Sequence, residues 1–118
     1  MKRGLRLLNV TRSTILATDL AIAEGFWERG RGLLGRKELR PGEGLVISRC
    51  RSIHMWGMRF AIDVIFVDRA WRVVALKRGV RPWALTPPVW GAWATVELPQ
   101  GTIERSMVSI GDQLEASK

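Results

Sequence analysis

The residue types that could do chemistry gather in one apolar stretch, "CRSIHMWGMRFAIDVIFVD", from Cys50 to Asp68. It holds the only cysteine and the only histidine of the chain, and it sets a carboxylate, Asp63, among Ile62, Val64, Ile65 and Phe66. Cys50 and His54 stand four apart. On a helix that spacing would stack them one turn apart. The sequence around them reads as extended, which would separate them by about 13 Å along a strand. Ligands so far apart cannot share an ion whose bonds are about 2 Å long, so no metal site is expected. A Cys–His nucleophilic pair meets the same distance problem, although Arg49 and Arg51 would favour a thiolate at Cys50. A lone cysteine otherwise behaves as a small buried hydrophobe.

Asp63 carries more information. On a strand it shares a face with Ile65 and Val67, where a carboxylate is costly unless it is paired or hydrogen-bonded. Its candidate partners are His54, Arg59 and Arg36. It either ties the sheet to a neighbouring loop or lines a pocket with His54. Aromatic residues supply a second theme, because the chain has six tryptophans and no tyrosine. Trp56 joins His54 and Asp63 in a candidate cleft with arginines at its rim. Trp83 and Trp90 lie in a proline-rich loop that should be exposed. No serine sits in a nucleophile elbow. "GRGLLG", Gly30 to Gly35, matches a dinucleotide-binding fingerprint in letters only. The segment before it reads as helix, and no acidic residue follows at the required distance. No cofactor is expected.

These residues must be held by short strands. Leu5–Val10 reads as a first strand; Thr14–Ala23 is open between strand and helix, and its Thr and Ile content with partial alternation favours strand. Glu24–Arg36 reads as a short helix that stops near Gly35. A turn at Arg40–Gly44 leads into a strand near Leu45. Phe60–Val67 is apolar on both faces and should be a central, doubly buried strand. It forms a hairpin with "RVVALK". Trp93–Leu98 alternates, "TIERSM" suggests one helical turn, and a last strand follows around a turn at Gly111-Asp112. The expected fold is mainly β, a compact single-domain sandwich or barrel over residues 1–118 with one short helix near 24–35.

The chain has 118 residues, 47% of them hydrophobic and 25% charged, which fits one globular core. A single cysteine excludes an internal disulfide. No apolar run approaches the roughly 20 residues of a membrane span, and no signal-like segment opens the chain, so a cytoplasmic protein is expected. The net charge is +8. Residues 1–60 carry 12 Lys/Arg against 5 Asp/Glu, and residues 61–118 carry 7 against 6. The arginines are scattered rather than clustered, so weak, salt-sensitive anion binding is the expectation for this basic half.

"RGLLGR", "GEGLVI", "SIHMWGMRFAIDVIFVD", "RVVAL", "VELPQG" and "IGDQLE" occur in an order and spacing that resemble the domain-of-unknown-function family numbered 192. The likeness runs from about Ile15 to Leu114. Ile53, His54, Met58, Phe60, Ile62 and Asp63 fall on the family pattern. Ala61 stands where the family usually has proline, and Trp56 where it usually has a smaller or different aromatic residue. The resemblance implies a compact β-sandwich or barrel with a short helix from the "RGLLGR" region, and it implies no activity. Some relatives carry an export signal, and this chain shows none. The functional expectation is a noncatalytic binding or accessory module for an unknown small ligand or protein partner, with a cleft near His54, Trp56 and Asp63. Two alternatives stand beside it. One is a small enzyme using His54 and Asp63 as an acid–base pair. The other is an anion or nucleic-acid binder acting through the arginine-rich N-terminal half.

Overall fold

A computed structural model describes residues 2–24, 38–49 and 59–118. Its elements are β1 (Lys2–Asn9), β2 (Thr14–Ala23), β3 (Glu43–Ser48), β4 (Ile62–Val67), β5 (Val73–Val80), β6 (Ala94–Pro99), helix α1 (Thr102–Ser106) and β7 (Leu114–Ser117). The strands form one curled sheet in the order β5-β4-β6-β3-β2-β1-β7. All neighbours are antiparallel except β2 and β3, which run parallel. The mainly β fold expected from alternation is therefore what the chain adopts. The helix expected at residues 24–35 lies outside the described residues, apart from Glu24.

The curl nearly closes the sheet on itself. Residues just before the two edge strands, β5 and β7, meet through an Arg72–Gln113 bridge. The Val73 N–H donates to the Asp112 carbonyl, and the Leu114 N–H to the Trp71 carbonyl, both at 2.9 Å. Pairing the edges in this way hides backbone groups that would otherwise invite another strand. A buried polar knot supports the seam. Asp112 Oδ2 accepts from Asn9 Nδ2 at 2.9 Å, from Arg12 Nε at 2.6 Å and from the Ser109 N–H at 2.9 Å.

Two apolar clusters lie on opposite faces of the sheet. The inner one holds Leu7, Leu20, Val46, Ile65, Val96 and Ile103. The outer one holds Ala23, Leu45, Ile47, Ile62, Val64 and Phe66. Every residue of β4 is buried, as its two apolar faces require. The outer cluster is covered by the segment linking β5 to β6, residues 81–93. This strap turns Ala84, Val89 and Ala92 inward against the cluster. It leaves Trp83, Leu85 and Trp90 outward. The only α-helix among the described residues, α1, is the single turn suggested by "TIERSM", and Ile103 anchors it in the inner core.

Candidate functional site

Asp63 sits second in β4 and is almost wholly buried, 1% exposed. Its carboxylate is met by main chain. The Gly79 N–H donates to Oδ1 at 2.9 Å, while the Gly101 and Ile103 N–H groups donate to Oδ2 at 3.0 and 2.9 Å. Gly101 is the N-cap of α1 and has no side-chain capping bond of its own. Asp63 therefore supplies from a distant strand what a helix start lacks, an acceptor for its orphan N–H groups. Gly79 and Gly101 both lie in the left-handed region, at φ 56° and 95°, where L side chains are strained. Those conformations aim the two N–H groups at one carboxylate. None of the three bonds comes from Arg59, which is exposed just before β4. Arg36, His54 and Trp56 lie outside the described residues, as does Cys50.

Trp83 is 67% exposed, on the outward side of the strap, and Trp90 is 89% exposed. The proline-rich loop is thus open to solvent, as its composition suggests. Near the other end of the strap, a groove of about 670 Å³ is lined by Arg49, Asp68, Arg69, Ala70, Gly91 and Trp93. Among the described lining residues the one carboxylate, Asp68, is engaged locally, its Oδ1 accepting the Ala70 and Arg72 N–H groups, each at 2.9 Å. Arg49 and Arg69 are the cations of that described lining, and the Trp93 indole is its flat apolar wall. The volume falls within the roughly 300–1,000 Å³ usual for small-molecule sites.

One buried ionisable group escapes the sequence reading. Glu97, in β6, stands between Leu45 of β3 and Val64 of β4 and is 6% exposed. No described hydrogen bond or ion pair satisfies it, and burial pushes its carboxyl up to about 7. Two residues away on the same face, Thr95 Oγ1 is buried without a hydrogen-bond partner. Alternation in "WATVEL" reads Thr95 and Glu97 as a solvent face, whereas both are buried. Among the described residues no group of three or more His, Cys, Asp or Glu is placed to hold a metal ion. No helix among them is long and apolar enough to cross a membrane.

The DUF192 family model, described as "Uncharacterized ACR", matches residues 8–116. A UPF0127 protein of Thermococcus sibiricus is 36% identical over 113 residues, covering 92% of this chain and 73% of the relative. A UPF0127 protein of Pyrococcus furiosus is 36% identical over 115 residues, covering 92% of this chain and 96% of that one. The crystal structure of a protein of unknown function from Novosphingobium aromaticivorans superposes with a TM-score of 0.80 at 22% identity. It covers 94% of this chain and 82% of its own, and it shares the fold.

Proposed function

The chain belongs to the DUF192 family, and on that premise we propose that it is a noncatalytic binding module whose ligand occupies the groove beside Arg49, Arg69 and Trp93. The observation that carries this reading is the groove's chemistry. Among the described lining residues, two arginines and an indole border one concave space whose one carboxylate, Asp68, is already bonded to turn N–H groups. Such a lining suits a small anion with a flat apolar body. Arg69 takes its carboxylate or phosphate, and the indole takes its ring. The acid–base alternative loses support from Asp63. Its carboxylate accepts three main-chain N–H bonds and is 1% exposed, which leaves a substrate no open approach to it.

Titration of the ¹⁵N-labelled protein with benzyl phosphate, benzoate and neutral benzyl alcohol tests the proposal. Saturable shifts are expected at the Trp93 indole N–H and the Ala70 and Ala92 amides with the two anions only, and Arg69→Glu should abolish them. Shifts that are absent from the groove, or equal for the neutral probe, would overturn the reading.

A further inference from the structure

The strap between β5 and β6 has a construction that neither the sheet nor the groove explains. From Arg69 to Val96 the chain holds five cations, Arg69, Arg72, Lys77, Arg78 and Arg81, and no carboxylate. From Pro82 to Val96 it carries no charge at all. Within that neutral stretch Trp83, Leu85 and Trp90 are 67%, 65% and 89% exposed. Isolated exposed apolar residues are ordinary. Two tryptophans and a leucine on the outward side of one short segment are not.

Trp83 is also held there against local preference. The Ala84 N–H donates to the Arg81 carbonyl at 3.1 Å, closing a turn with Pro82 at its second position and Trp83 at its third. Trp83 has φ 69°. Proline followed by a residue of positive φ is the type II arrangement, in which glycine normally takes the third position. A tryptophan at that position is strained by its own backbone and is directed into solvent. The indole is thus held in solvent at a backbone cost, the kind of strain that collects at functional surfaces.

We propose that the strap docks this protein onto an anionic lipid bilayer, with Trp83, Leu85 and Trp90 entering the boundary between headgroups and acyl chains. Lys77, Arg78 and Arg81 are exposed, have no ion-pair partner among the described residues, and supply the cations for the lipid phosphates. Two features favour a bilayer over a protein partner. Trp83, Leu85 and Trp90 form a ridge drawn from one short segment of the chain, whereas a stable protein interface needs about 800 Å² of matched surface on each side. A bilayer conforms to a ridge, and its interface is where indoles with an adjoining cationic fringe concentrate. The charge is complementary as well, since anionic headgroups attract the cations that lead into the strap, Lys77, Arg78 and Arg81.

Co-flotation with two kinds of vesicle decides the matter, pure phosphatidylcholine and phosphatidylcholine containing about one-third phosphatidylglycerol. The wild-type protein should float with the anionic vesicles, release at high salt, and have its tryptophan emission quenched by lipids brominated near the headgroup. Trp83→Gly with Trp90→Ala should lower partitioning about ten-fold or more. Trp83→Gly alone should raise the melting temperature, because it relieves the turn, while still weakening binding. Arg78→Glu with Arg81→Glu should also lower partitioning about ten-fold or more. Absence of flotation with anionic vesicles at low salt would overturn the proposal. So would flotation unchanged by loss of both tryptophans, which would mark mere adsorption of a basic protein. Conversion of a dimer to a monomer by the tryptophan variants, without any vesicle binding, would assign the ridge to a protein contact instead. Arg69→Glu reads the groove separately and should leave tryptophan quenching by brominated lipid in place.

Discussion

Replacing Glu97 by glutamine tests the electrostatics of the outer face in one step. The side chain is flanked by Leu45 and Val64 and almost fully buried, and burial raises its carboxyl from 4.5 to about 7. The folded protein then keeps a proton that the unfolded chain releases. A raised carboxyl pKa stabilises the fold fully below 4.5, and the contribution is lost as pH rises through about 7. A difference of about 2.5 units at about 1.4 kcal/mol each is a loss of about 3 kcal/mol. That is a sizeable part of the roughly 5–15 kcal/mol that holds a domain of this kind together. Glu97→Gln keeps the shape and removes the ionisation. Its stability should be flat between about pH 5 and about pH 8, close to wild type at the acid end and above it at the alkaline end. Urea denaturation across that range gives the midpoints directly. A ¹³C titration of the Glu97 carboxyl should turn over near 7. A wild-type midpoint that does not fall over this range, or a variant that retains the wild-type slope, would refute the reasoning.

Three further outcomes follow from the geometry. Asp63→Asn replaces one acceptor oxygen with an N–H₂ group facing main-chain donors, and should destabilise by about 1.5–3 kcal/mol in urea melts. Burial pushes the Asp112 carboxyl up, but the Asn9 amide, the Ser109 N–H and the Arg12 guanidinium together hold it below its ordinary 3.8. Its contribution is therefore present above that value and lost as pH falls further, so Asp112→Asn should flatten the acid limb of the stability profile. Gly44→Ala would place a Cβ 2.9 Å from Leu98 Cδ2 and 3.0 Å from Leu20 Cδ1, and should lower stability by about 1–3 kcal/mol through overpacking, read by thermal melting.

The parts of the fold legible in the sequence are those set by local periodicity. Phe60–Val67 reads as a strand because apolar residues fill both faces, and Ile62–Val67 is one; Thr14–Ala23, open between strand and helix in the sequence, is the strand its Thr and Ile content favours. The last strand is placed less well. Val108 and Ile110 look like strand residues, yet Ile110 is exposed and the pairing with β1 begins only at Leu114. Periodicity names no partners, so the parallel β2–β3 pair and the seam between β5 and β7 carry no sequence signal. The candidate site divides along the same line. The apolar neighbours of Asp63 show that it must be buried and bonded, but its donors lie 16, 38 and 40 residues away on the main chain. The only local trace of them is glycine at positions 79 and 101. Glu97 fails for the opposite reason, since its own strand alternates and so reads as half-exposed. The cue is nonlocal: β3 and β4, its neighbours in the sheet, are apolar on both faces, and a strand lodged between two such strands has no solvent side. A carboxylate placed there must stay protonated or lose stability, and that choice can be measured.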